Sequence, residues 1–188
     1  MYADVMNRLH TLPLFFLLVV LLSACTRRPV ANLDDMRALA DSIPDSVLST
    51  LQKENPEHFN DEDMAKYCLA YAWAQQKKFL FIDNDSLIRH AYIYYLDRNE
   101  DPFYARCMYY MGSYYYCSDS VEKAENCFTL AAVSAERHQD YKLRYMALEL
   151  LTRLMRLRNP EKAVENAEGA IEAYNMYPKK NIGNYILL

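Results

Sequence analysis

Glycine is nearly missing from this chain, with three in 188 residues beside seven prolines. A turn-rich β protein needs many more of both, so this poverty excludes a sandwich or barrel and points to helices. Basic runs are missing too. No stretch of Lys or Arg exceeds two residues and the formal net charge is −4, which removes the electrostatic footprint of a nucleic-acid binder. Metal-ligand spacing is equally scarce. His58, His90 and His138 stand alone, without the H-E-x-x-H or Cys-His patterns that set ligands on one helix face. There is no C-x2-C pair among Cys68, Cys107, Cys117 and Cys127, so neither a zinc site nor a redox motif is indicated. Cys107 and Cys117 lie on one predicted helix, about 15 Å apart at the helical rise, and cannot bridge within it. Free, mostly buried thiols are expected. No cofactor, metal or enzymatic constellation is expected either.

What is present begins with an apolar run from Leu12 to Leu22, broken only by Pro13 and preceded by Arg8 and His10. At about 1.5 Å per residue this run falls well short of the ~30 Å hydrocarbon core, so it reads as a secretory signal and not a span. It ends in Leu22-Ser23-Ala24-Cys25, which resembles a bacterial lipobox. That resemblance implies cleavage after residue 24 and diacylglycerol on the Cys25 thiol. Asp4 is unusual in such a leader, and Met6-Asn7-Arg8 offers a more regular start. The expected organisation is therefore a signal peptide over 1–24, a lipidated tether over 25–32, a helical domain over 33–177 and a C-terminal segment over 178–188. Removing 1–24, which hold one Asp and one Arg, leaves the net charge at −4. With 52% hydrophobic and 24% charged residues the chain is globular and not disordered.

Along the domain, apolar residues recur at steps of three and four, the helical period. Leu33, Met36, Leu39, Ala40 and Ile43 form one stripe, and Pro44-Asp45-Ser46 opens a second helix carrying Val47, Leu48 and Leu51. Asp61-Glu62-Asp63 suits a helix N-terminus and precedes Tyr67, Ala70, Tyr71 and Ala74. Asp83-Asn84-Asp85-Ser86 then caps a helix with Ile88, Ala91, Tyr92 and Tyr95 inward. The Asp-x-Asp start of a calcium loop is visible there, but its Gly and late Glu are not.

The clearest unit covers 105–138: Met108-x2-Met111-Gly112-x2-Tyr115, then Ala124-x3-Phe128 and Ala131. This spacing resembles a tetratricopeptide repeat, a 34-residue helix-turn-helix. A Gly inside a helix costs about 0.5 to 1 kcal/mol relative to Ala, so Gly112 is read as the point where the paired helix comes close. Over 139–175, Leu143, Met146, Ala147 and Leu150 repeat the first-helix stripe, which is expected to run on through Arg156. Asn159-Pro160-Glu161 opens a partner helix with Ala163, Ala167 and Ala170. The expected fold is all-α, a tetratricopeptide-like helix-turn-helix solenoid of about four hairpins. Met108 stands where the family usually has Trp, no Pro closes the unit, and the first two hairpins lack a small residue at the close-packing point.

The resemblance implies a protein-interaction role, with an extended peptide or protein held in a groove lined by the first helix of each unit. On the clear unit that face carries Arg106, Tyr109, Ser113 and Tyr116, roughly 120° from the core stripe, and the next unit adds Tyr141, Arg144 and Leu148. Tyrosines with an exposed hydroxyl edge beside a basic residue suit peptide recognition. The competing account is packing, since 17 tyrosines put several on any face. Arg153, Arg156 and Arg158, with Glu149 one turn before Arg153, read as a solvated edge. The expected location is the cell envelope, the protein being lipid-anchored on the periplasmic side of the outer membrane. The leader, Pro44-Asp45-Ser46 and Asn84-Asp85-Ser86-Leu87-Ile88 before a Tyr-rich repeat are also similar to a group of bacterial lipoproteins and membrane sensors. The alternative expectation is thus the extracytoplasmic sensor part of a split or truncated signalling regulator. Finally, Pro178-Lys179-Lys180-Asn181 reads as a helix opening followed by apolar Tyr185 to Leu188, so self-association through the C-terminal edge is expected.

Overall fold

The computed structural model describes residues 31–78 and 86–177. The expected leader, Cys25, most of the tether, the Asp83-x-Asp85 cap and the segment 178–188 lie outside the described residues. Eight α-helices and one 3-10 turn, with no strand, make up the described chain. No helix among them is long and apolar enough to cross a membrane.

Helix starts follow the local chemistry. Asn32 precedes α1 (Leu33–Leu39) and accepts from the backbone N–H groups of Asp34 and Asp35. Pro44 sits in the first turn of α2 (Pro44–Leu51), where its missing N–H costs nothing. Asn60 accepts from Asp63 N at 2.8 Å at the start of α3 (Asp61–Lys77), whose first turn also holds three acids against the positive end of the helix dipole. Then come α4 (Ser86–Tyr95), α5 (Tyr104–Cys117) and α6 (Val121–Arg137). Asp140 caps α7 (Tyr141–Met155) through Leu143 N at 3.0 Å, and Asn159 caps α8 (Pro160–Met176) through Lys162 N at 3.1 Å. Arg156 is the C-cap of α7, the extent the sequence predicts.

The glycine shortage is felt at the turns. Helices α5 and α6 both end with a left-handed residue, Asp119 at φ 55° and Gln139 at φ 58°. In each turn the next N–H reaches back to close the helix end: Ser120 N to Tyr115 O at 2.9 Å and Asp140 N to Ala135 O at 2.8 Å. This is a Schellman closure made twice without glycine.

Each helix packs on its chain neighbours, most closely α5 on α6 and α7 on α8. The odd-numbered helices also meet in succession, α1 with α3, α3 with α5, and α5 with α7. Helices α1 and α2 both rest mainly on α3 and touch each other little, so the first pair is a looser unit than a hairpin. The predicted stripe of α1 is corrected as well. Leu39 and Ile43 are exposed, because the helix stops at Leu39, whereas Ala40 and the charged Arg37 are buried. At the clear unit the expectation holds: Met108, Met111, Ala124, Phe128 and Ala131 are all buried. A Cβ on Gly112 would lie 2.8 Å from two carbons of the Phe128 ring and 3.2 Å from Cys127 Cβ. Gly112 is therefore the close approach between α5 and α6.

Candidate functional site

The polar groups of the odd-helix face converge on the single tryptophan of the chain. Trp73 on α3 lies under the Arg106 guanidinium of α5, with Cζ 4.0 Å from the ring centroid, and its ring is 6.2 Å from that of Tyr110. Arg106 Nη2 donates to Asp140 Oδ2 at 2.9 Å. The other oxygen of that carboxylate caps α7, so one side chain ties α5 to the start of α7. On the far side, Trp73 Nε1 donates to Asp41 Oδ1 at 2.9 Å, just past α1. Asp41 also receives Lys77 of α3 at 3.0 Å and Lys142 of α7 at 2.5 Å. One carboxylate thus joins three odd-numbered helices.

Burial of Asp41 opposes its ionisation. The hydrogen bond from Lys142, the Lys77 charge, the Trp73 bond and the Lys142 charge outweigh that, and hold the carboxyl well below its ordinary value. Tyr110 moves the other way. Burial pushes its hydroxyl well up, partly offset by the Arg106 charge and reinforced by Asp41. Arg106 is 8% exposed and its Nη1 has no hydrogen-bond partner among the described residues. The Tyr110 hydroxyl lies beside the guanidinium, and a hydrogen bond from Arg106 is a further influence that opposes the rise of that hydroxyl. Lys77, Asp41 and Lys142 each keep about a fifth of their side chain in solvent.

The other residues expected on this face divide. Tyr109 is 6% exposed, with its ring 5.8 Å from Phe128 and 5.4 Å from Tyr110, and burial pushes its hydroxyl up to about 12. The expected exposed hydroxyl edge is therefore missing there, because α5 has neighbours on more than one side and its second stripe is covered too. Ser113 is half-buried; its hydroxyl donates to the Tyr109 carbonyl at 2.9 Å and accepts from Gln76 Nε2 of α3 at 3.4 Å. Tyr116, 43% exposed, is open to solvent, and Tyr141 is half-buried at the first position of α7. Arg144 points elsewhere. It pairs with Glu136 of α6 at 3.1 Å and Glu172 of α8 at 3.4 Å, so it belongs to the even-helix side and does not join Arg106.

Sequence reasoning passed over Asp41, Trp73, Lys77 and Lys142. A usable signal was the lone Trp flanked by alanines at 72 and 74, since such a ring on a small-residue helix has something stacked on it. A second buried arginine behaves like a structural pin. Arg37 lies 3.5 Å above the Phe103 ring, donates to the Tyr95 hydroxyl at 2.7 Å and pairs with Asp34. Among the described residues no cluster of His, Cys, Asp and Glu could hold a metal. Cys68 and Cys127 are pushed up by burial to about 12 and about 11, and Cys107 well up, so these free thiols stay protonated at neutral pH. The exposed Glu149–Arg153 pair matches the solvated edge read from the sequence. Comparison with known protein families, with curated proteins and with solved structures finds no match to this chain.

Proposed function

We propose that this chain is a helical-repeat interaction module of tetratricopeptide type, attached to the cell envelope through lipid on Cys25, which holds an extended peptide or protein segment along the odd-helix face. The observation that carries the reading is the succession of contacts α1–α3–α5–α7 beside the neighbour-to-neighbour packing. Helices stacked this way form one continuous surface, which is how repeat arrays make long binding faces. That surface bears Arg106, the part-exposed Lys77 and Lys142, and the open Tyr116. Carboxylates of an extended segment would be drawn to these cations, and the aromatic rings would supply contact area.

The test is site-specific photocrosslinking in cells with the full-length protein. A benzophenone side chain at Tyr116 should give a discrete adduct, and the same group at Val133 on α6, also exposed, should not. Equal labelling from both positions, or from neither, removes the odd-helix face as the binding surface. For the anchor, Cys25→Ala should release soluble protein or leave uncleaved precursor; a mature, acylated membrane protein from that variant would refute the lipid attachment.

A further inference from the structure

Helix α8 carries an apolar stripe that the described chain leaves mostly exposed, although the Tyr174 ring lies 5.6 Å from that of Tyr145 on α7. Its inner side, Ala163, Ala170 and Ala173, packs on α7. Val164 and Ile171 are 57% and 62% exposed, and with Tyr174 and the half-buried Ala167 they form a second stripe beside the inner one. Steps of three, four and three residues keep these four side chains on one line of the helix. About 100° further round runs a third line, Glu161, Glu165, Glu168 and Glu172, all exposed. Glu172 meets Arg144, whereas Glu161, Glu165 and Glu168 have no ion-pair partner among the described residues. Every earlier even-numbered helix is followed by a helix that packs on it; for α8 the described chain ends at Tyr177.

An occupant for this surface must bring apolar side chains for the stripe and cations for the acidic line. We propose that it is the chain's own segment 178–188. The segment contains Lys179 and Lys180, no acid, and five large apolar residues, Ile182, Tyr185, Ile186, Leu187 and Leu188. Its charge complements the glutamate line and its apolar residues match the stripe. The path from Tyr177 back to Val164 is about 20 Å along the helix, and eleven residues reach up to ~36 Å when extended. Because the segment is tethered to the end of the surface it covers, its local concentration is in the millimolar range, which favours it over a separate molecule. A second copy of α8 would set one acidic line against another.

The experiment places a benzophenone side chain at Ile171 of the full chain, mixes unlabelled with ¹⁵N-labelled protein, and irradiates. The expected product is a crosslink from 171 to a peptide within 178–188, with both partners carrying the same isotope. Mixed-isotope crosslinks would show a second copy on the stripe, and adducts elsewhere or none at 178–188 would show that the segment is not there; either overturns the proposal. In parallel, Ile171→Glu should speed tryptic cleavage after Lys179 and Lys180 by at least about tenfold, the change expected on removing one buried aliphatic anchor. Since Ile171 is exposed on α8, the far-ultraviolet circular dichroism should not change. Unaltered cleavage at the two lysines would also refute the contact.

Discussion

Gly112 offers the sharpest test of the packing. Replacing it with Ala improves the intrinsic helix propensity of α5 by about 0.5 to 1 kcal/mol. Against this, the new methyl would sit 2.8 Å from Phe128 Cδ1 and Cε1. Phe128 is fully buried and packed against Tyr109, so the ring cannot swing away into solvent. Overpacking of this kind costs typically about 1 to 3 kcal/mol. The second effect wins, and Gly112→Ala should be destabilised by about 1 kcal/mol, with Gly112→Leu considerably worse. Urea unfolding followed by circular dichroism reads the change directly: at a slope of about 2 kcal/mol per molar, the midpoint should fall by about 0.5 M with the slope unchanged. Phe128→Leu in the Gly112→Ala background should recover part of the loss, giving a coupling of at least about 0.5 kcal/mol in the double-mutant cycle. A Gly112→Ala protein as stable as its parent, or strictly additive costs, would refute the close-contact account.

Three further outcomes follow from the same geometry. Gln139→Gly should stabilise the protein by about 1 kcal/mol in the same assay, because an L side chain at φ 58° is strained and glycine is not; no gain would mean that the turn does not hold this conformation. Asp41 is ionised more readily in the folded chain than unfolded, so its contribution is fully present above the unfolded value near pH 4 and is lost as pH falls through the lower folded value. Asp41→Asn should therefore lose stability at neutral pH and flatten the acid limb of the stability curve, and an unchanged acid limb would show that Asp41 is not held by Lys77 and Lys142. Arg106→Ala should cost about 3 kcal/mol, since it leaves a partly buried Asp140 and an uncovered Trp73, whereas Arg153→Ala should change stability by about 0.5 kcal/mol or less; equal effects would contradict the burial difference.

Features set by local chemistry were legible in the residues. Asp61-Glu62-Asp63, Asn159 and Pro160 mark helix starts because the chemistry of a helix N-terminus depends on two or three adjacent positions. Met108, Met111, Ala124, Phe128 and Ala131 read as core, and Gly112 as a close contact, because the pair α5 and α6 buries one stripe from each helix. The same rule misled at Tyr109. Helix α5 is flanked by α4, α6, α3 and α7, so a side chain off the main stripe is also covered, and one periodicity cannot report several neighbours.

The sequence by itself determined the helical class, the order of the helices and the inner residues of the pair α5 and α6, since each depends on spacing within one or two turns. The tertiary structure alone decided which charges meet. Asp41 and Lys142 are 101 positions apart and share a bond only because α1, α3 and α7 are brought to one place. Arg106 and Arg144, on corresponding faces by sequence, part company because Asp140 and Trp73 lie on one side while Glu136 and Glu172 lie on the other. A charged side chain follows its counter-charge, and where that counter-charge stands is a property of how the helices pack.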